Sequence, residues 1–265
     1  MIIIYHKNCI YSFLTKYLVK KQDIIKLSIV IPLANESETL ESFYKEIIKY
    51  ITPFEERFQI KIFLVMDNAS KDNTREIVEF IQKQDSHVHL VWAPQNRCVV
   101  DAYIAGFKAA IDDGSDYILE MDGGGTHLPG EIPLFINKLL DGYDCVFGSR
   151  FTKNAEMDAG FKRHFYSRGG TIIAKILLGM KISDATSGFE AFKTDILKKI
   201  ISKKLISTGH FYQTEIRFRA KDFNYAEVPI HYSNPVNKIP AKYIRNAFYG
   251  LMACFFERVR GVKYG

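Results

Sequence analysis

Apolar runs of strand length alternate with helical spacing along most of the chain. Residues 27–33 (LSIVIPL) form an unbroken apolar run and predict a strand buried on both faces. Asn35 follows as a candidate N-cap, with Glu38 in the capping-box position, and Leu40, Phe43, Ile47, Ile48 and Ile51 then recur at helical spacing. The same reading predicts strands at 60–66, 88–93, 117–121 and 145–149. It predicts helices over about 72–84, 99–111 and 129–140, the last with Pro129 in its first turn. Strands alternating with helices through short connections make an α/β fold with a mainly parallel, doubly wound sheet. Ligands of such sheets sit beyond the carboxyl ends of the strands, so the loops there are where chemistry is expected.

Composition adds little to this picture, and charge adds more. A chain of 265 residues with 47% hydrophobic and 25% charged residues is ordinary globular material, which excludes disordered, collagen-like and low-complexity classes. The net charge is +6. Residues 1–26 hold Lys7, Lys16, Lys20, Lys21 and Lys26 against Asp23, and residues 234–265 hold Lys238, Lys242, Arg245, Arg258, Arg260 and Lys263 against Glu257. The segment between them is therefore net negative, which argues against a nucleic-acid partner. Cys9, Cys98, Cys145 and Cys254 form no C-x-x-C pair, so neither a zinc site nor a disulfide framework is expected. The start, with His6, Lys7 and Lys16 interrupting its apolar residues, does not read as a signal peptide, and no stretch has the length of a spanning helix. Three segments are expected: a basic apolar extension (1–26), the main domain (27–233), and a loop with a C-terminal amphipathic helix (234–265).

Three strand ends carry acids or amides: Asn35-Glu36, Asp67-Asn68 through Asp72-Asn73-Thr74, and Asp122-Gly123-Gly124-Gly125-Thr126-His127. An Asp at such a position accepts hydrogen bonds from ribose or base, or ligates a hard cation. For Asp67 and Asp72, capping the next helix is the competing role. After Asp122 the three glycines provide no cap and leave room for a ligand to approach the backbone, although a plain flexible turn would use them too.

Taken in order, Ile31-Pro32-Leu33-Ala34-Asn35-Glu36, Met66 to Thr74, Met121-Asp122-Gly123-Gly124, Gly148-Ser149-Arg150-Phe151, Ser167-Arg168-Gly169 and Asp184-Ala185-Thr186-Ser187-Gly188-Phe189 resemble family 2 glycosyltransferases of GT-A fold. Within that family the sequence is most similar to dolichol-phosphate mannosyltransferases and related polyprenyl-phosphate glycosyltransferases, over about residues 27–232. The resemblance implies a Rossmann-like α/β/α sandwich in which Pro32, Asn35, Glu36, Asp67 and Asn68 line the nucleotide of a nucleotide-sugar donor, GDP-mannose or a UDP-sugar. Asp122 matches the first acid of the Asp-x-Asp motif that holds Mg²⁺ or Mn²⁺ on the diphosphate. Gly124 stands in place of the second acid, Thr126 where many relatives have Gln, Cys98 where Gly is usual, and Glu190 where Arg is usual. The Glu190 exchange implies a changed donor or acceptor contact.

By the same resemblance Arg150, Arg163 and Ser167 would hold the acceptor phosphate, with Lys162 and Arg168 as neighbouring candidates. For Arg150 a surface ion pair, and for Arg163 a solvated basic face, are the competing roles. Lys242, in Ile239-Pro240-Ala241-Lys242, resembles a loop that closes over donors. A phosphate acceptor needs no general base, since it is already ionised. An acceptor hydroxyl, as in a surface polysaccharide precursor, would need one, and Asp184 and Glu215 are the candidates, each with the alternative of being a buried structural acid. Gly124 and Glu190 also leave open a catalytically weakened nucleotide-sugar binder. Residues 243–259 place Ile244, Ala247, Phe248, Leu251, Phe255 and Val259 at helical spacing between basic residues. Such a helix either lies in a membrane interface or docks on its own domain. With the basic N-terminal segment it predicts peripheral attachment at the inner face of the cytoplasmic membrane.

Overall fold

The apolar run at 27–33 forms β1 (Ile25–Pro32), with Ile29 and Ile31 buried on one face and Val30 on the other. In this computed structural model the described residues are 24–158, 161–233 and 241–265, the side chains of 161–163 and 241–242 excepted. β2 (Phe58–Met66) and β3 (Val88–Trp92) extend the sheet on one side of β1, and β4 (Tyr117–Glu120) pairs on the other, all parallel. Beyond β4 the order continues with β7 (Glu190–Lys193), β5 (Cys145–Ser149) and β8 (Tyr225–Pro229), giving β3-β2-β1-β4-β7-β5-β8. β7 runs antiparallel to both its neighbours, a reversal that the strand–helix alternation did not predict. β6 (Glu156–Met157) and β9 (His231–Tyr232) pair as a short parallel ribbon beside the sheet.

Helices cover both faces. α1 (Leu40–Ile51), α2 (Thr74–Gln84) and α4 (Ile132–Leu140) bury Leu40, Phe43, Ile47, Val78, Phe135 and Leu139 against one face. α3 (Val99–Asp112), α5 (Phe161–Leu178), α6 (Thr194–Ile200), α7 (Phe211–Ala220) and α8 (Ala241–Val259) share the core of the other. Gly106 of α3 lets that helix sit directly on the sheet, because a Cβ there would lie 2.3 Å from a methyl of Val30. This is the expected α/β/α sandwich, with the parallel strands β1, β2, β4 and β5 ending on the side where the acidic loops lie.

Two local expectations are corrected. Asn35 is no N-cap. It adopts φ 60°, and α1 begins only at Leu40, after Thr39. Its side chain is used at long range, accepting from the Lys71 backbone N–H at 2.8 Å. The second helix starts at Thr74 rather than Asp72, with Asn73 in the cap position. Asp72 instead accepts the Thr74 N–H and hydroxyl and the Ser37 N–H, and those bonds hold its carboxyl well below the usual range.

Candidate functional site

The loops after β1 and β2 are joined by a set of polar contacts. The backbone N–H groups of Asn35, Glu36 and Ser37 donate in turn to Ser70 Oγ at 3.0 Å, Thr74 Oγ1 at 2.8 Å and Asp72 Oδ2 at 3.0 Å. Asp67 accepts the Ala69 N–H at 2.8 Å, and Asn68 donates to the Pro94 carbonyl at 3.0 Å. These bonds fix two irregular segments that have no ladder partners, and they leave the Asn35 and Asn68 side chains at the surface with Pro32, Glu36 and Asp67 half-buried.

Asp122, at the end of β4, completes the arrangement. The Tyr103 hydroxyl of α3 donates to its Oδ1. Its backbone N–H donates to His127 Nδ1 at 2.9 Å, which leaves the proton of a neutral His127 on Nε2. Burial pushes the His127 pKa down, so the ring is neutral. His127 is fully buried between Phe189 and Tyr232, and its Nε2, without a hydrogen-bond partner, stands 3.8 Å from Asp122 Oδ2. No Lys or Arg lies within ion-pair distance of Asp122 or Glu36 among the described residues. Sequence reasoning missed Tyr103, which looks like any apolar position of α3, and noted His127 only as part of a motif.

Arg150 and Asp184 meet, but not at the surface. Arg150 Nε donates to Asp184 Oδ2 at 2.7 Å and Nη2 to Oδ1 at 2.9 Å, with side chains 2% and 0% exposed. Burial alone would raise the Asp184 pKa, yet the Arg150 guanidinium beside it holds it down at about 2. An acid so buried and so fully ionised is a poor base, and Asp184 is therefore a structural partner of Arg150, not a proton acceptor. Arg150 in turn braces the loop after β5 and is buried in an ion pair, where the expectation had it holding the acceptor phosphate or in a surface ion pair. Glu215 is also corrected. Its carboxylate accepts the Ile206 and Ser207 N–H groups and pairs with Arg219 at 2.8 Å, so it is fully spent inside the protein. Ser167 is half-buried on α5, and Arg168, exposed beside it, stacks its guanidinium 5.2 Å over the Phe151 ring. The Arg163 and Lys242 side chains, like residues 1–23, lie outside the described residues.

Glu190 turns out to face inward. Fully buried, it accepts from Arg217 Nε at 2.7 Å, and Arg217 Nη2 donates to the Gly148 carbonyl at 3.2 Å. The expected change of substrate contact is thus replaced by an internal exchange of charge. Directly across the sheet from Glu190 lies Glu120, which accepts from the Tyr212 hydroxyl at 2.6 Å. Burial pushes Glu190 up to about 7 against the pull of Arg217, and burial together with the Glu190 charge pushes Glu120 well above the usual carboxylate range. Two negative charges so close and so buried disfavour each other, so the pair resists full ionisation. Because both folded pKa values exceed the unfolded ones, this pair's contribution is full below about pH 4.5 and declines as pH rises through 7. Urea unfolding at pH 8 is expected to show Glu120→Gln as stable as the parent or more so. Glu190→Gln, which strands the Arg217 charge, should lose about 3–5 kcal/mol.

Comparison with known proteins gives the chain's family and agrees with its fold. The family profile described as Glycosyl transferase family 2 matches residues 28–201. The undecaprenyl-phosphate mannosyltransferase of Micrococcus luteus is 31% identical over 170 residues, covering 63% of this chain and 70% of that protein. The polyprenol monophosphomannose synthase of Mycolicibacterium smegmatis is 28% identical over 245 residues, covering 88% and 90%. Among solved structures, glucosyl-3-phosphoglycerate synthase of Mycobacterium tuberculosis, in complex with Mn²⁺, UDP and phosphoglyceric acid, superposes with a TM-score of 0.59 at 18% identity, covering 88% of this chain and 78% of that one.

Proposed function

The chain belongs to glycosyl transferase family 2, and from that premise we propose that it transfers a sugar from a nucleoside-diphosphate donor, GDP-mannose or a UDP-sugar, to a polyprenyl phosphate at a membrane surface. The observation that carries this reading is the convergence of the 33–37, 67–74 and 122–127 loops around an Asp122 carboxylate that has no Lys or Arg partner at ion-pair distance among the described residues. The two curated relatives are, by name, a mannosyltransferase to undecaprenyl phosphate and a synthase of polyprenol monophosphomannose.

An acceptor phosphate oxygen forms the new bond to the anomeric carbon. The bond from that carbon to the diphosphate oxygen breaks, and the electron pair leaves with the nucleoside diphosphate. Attack opposite the leaving group inverts the centre. No proton needs to be removed, which is consistent with Asp184 and Glu215 being engaged internally. The chain's task is alignment and charge compensation. The Asn35, Glu36, Asp67 and Asn68 loops receive the nucleotide, Tyr103 holds the Asp122 carboxylate, and His127 holds the Asp122 backbone. Ser167 and Arg168 on α5 receive the acceptor phosphate, with Arg163 as a further cation.

The donor set also fits a hard divalent ion. Among the described residues no cluster of three or more His, Cys, Asp or Glu side chains could hold a metal. The protein's share is then one or two carboxylates, the usual arrangement for an ion shared with substrate phosphates. Bound at Asp122, Mg²⁺ or Mn²⁺ would neutralise charge on the departing diphosphate.

Membrane contact is supported by α5 and α8, which lie side by side, with Arg258 donating to the Ile176 and Leu177 carbonyls. α8 docks through Ala247, Leu251 and Cys254. Ile244, Phe248 and Tyr249 of α8 are exposed, and so are Phe165, Ile172 and Ile176 of α5. Among the described residues no helix is long and apolar enough to cross a membrane. Exposed apolar residues on two helices that also expose Arg168, Lys175 and Arg245 suit an anionic lipid surface, the inner leaflet of the cytoplasmic membrane.

Anionic liposomes carrying undecaprenyl phosphate, incubated with labelled UDP- and GDP-sugars, provide the test. The expected product partitions with the lipid and releases its sugar in mild acid, and the protein floats with the vesicles at low salt. Product confined to a saccharide acceptor, with none on lipid, would overturn the proposal.

A further inference from the structure

Gly124 occupies the position at which the resemblance leads one to expect a second acid, yet the space beside it is already filled by a carboxylate. A Cβ built on Gly124 would lie 2.6 Å from Glu36 Oε1 and 2.9 Å from Oε2. Gly124 has φ +70°, in the left-handed region that favours glycine. An Asp there would be strained and would collide with Glu36, whereas the glycine allows the Glu36 carboxylate to lie against the turn, two residues along the chain from Asp122. The Glu36 carboxylate is fixed from its own side by the Thr39 hydroxyl, which donates to Oε2 at 2.9 Å. Glu36 and Asp122 approach the same turn, and neither has a Lys or Arg partner at ion-pair distance among the described residues. Asp122 Oδ2 faces the buried, partnerless Nε2 of His127 at 3.8 Å, so its orientation is guarded while its outer lone pairs stay open. Two acids that border one turn without such a cation are a charge arrangement that a divalent ion would offset.

We propose that Glu36 supplies the second acidic ligand of the cation–diphosphate site, in the space that Gly124 leaves open. Hard-cation chemistry asks for oxygen donors at the right place and is indifferent to which loop carries them. The second acid has moved from the loop after β4 to the loop after β1, and glycine at 124 is the complement of that move. This inference rests on the nucleotide-sugar reading of the site and adds one ligand to it.

Direct metal binding tests it. Free Mn²⁺ is followed by its electron paramagnetic resonance signal during titration into protein with saturating UDP or GDP, and nucleotide binding is measured by calorimetry with and without Mn²⁺. Glu36→Gln keeps an oxygen for the Thr39 hydroxyl. It is expected to weaken Mn²⁺ binding at least about tenfold, as Asp122→Asn should. Gly124→Asp alone should also bind Mn²⁺ poorly. The double variant Glu36→Ala/Gly124→Asp, which removes the collision though not the backbone strain and restores the acid to the other loop, should bind Mn²⁺ clearly more tightly than Gly124→Asp alone, an outcome that a purely structural role for Glu36 would not produce. Unchanged Mn²⁺ affinity in Glu36→Gln, with the parent binding metal and nucleotide normally, overturns the Glu36 assignment alone. A parent that binds neither UDP nor GDP under any condition overturns the nucleotide-sugar reading, and the assignment with it.

Discussion

Asp122→Asn is expected to reduce kcat by about 10²–10³-fold while leaving the melting temperature within a few degrees of the parent. The side chain is about one-third exposed, so the amide costs the fold little. It still accepts the Tyr103 hydrogen bond through its oxygen, so the loop keeps its place. What is lost is one full negative charge at the position where a divalent ion would meet the departing diphosphate. Binding of the donor's base and ribose depends on the loops after β1 and β2, so the nucleotide's own contribution to affinity should survive. Steady-state kinetics with Mn²⁺ held in excess check this, and a kcat within threefold of the parent would move the diphosphate site elsewhere. Tyr103→Phe, which leaves the charge and removes only its restraint, should cost far less, about tenfold, because one neutral hydroxyl contributes about 1–3 kcal/mol when a carboxylate accepts from it.

How much of this was legible in the sequence depends on how far each cause reaches along the chain. β1 and β2 were readable because both their faces are buried, and a strand buried on both sides needs an unbroken apolar run. The periodicity of Leu40, Phe43, Ile47 and Ile51 identified α1 for the same local reason. Asn35 misled because a capping box is defined by neighbours in sequence. Its side chain is instead used on Lys71, a residue on another loop. β7 escaped because four residues with a fully buried Glu at their head look like neither an apolar run nor an alternation. The acids show the limit most clearly. Asp122, Asp184, Glu190 and Glu215 all sit in or near motifs, and residue type alone makes each a candidate for chemistry. Of these four, Asp122 alone has no Lys or Arg partner among the described residues. Asp184, Glu190 and Glu215 each acquire an arginine, and two of those arginines, Arg150 and Arg217, come from distant parts of the chain. Burial decides between a catalytic and a structural acid, and burial is a property of the packed sheet.

The second large effect follows from that distinction and falls on stability. Asp184→Asn is expected to destabilise the protein by about 3–5 kcal/mol at pH 7, since it leaves the Arg150 guanidinium buried without a counter-charge. Against a total of about 5–15 kcal/mol for a folded domain, that is a large fraction, and partial unfolding at growth temperature is the expected consequence. Arg150→Ala should cost a similar amount, while the double variant Arg150→Met/Asp184→Leu, with no stranded charge, should be more stable than either. The pH dependence separates this pair from Glu120 and Glu190. Asp184 has its folded pKa lowered to about 2 from an unfolded value near 3.8. Its contribution is therefore complete above about pH 4 and disappears as pH falls through 2, whereas that of the glutamate pair weakens as pH rises towards 7. Urea unfolding of parent and Asp184→Asn should show a gap that is constant from pH 7 to 5 and narrows towards pH 2. A gap that instead widened with acid would mean that Asp184 is protonated in the folded protein. Its bonds to Arg150 would then be those of a neutral acid, and Asp184 would return as a candidate for proton transfer.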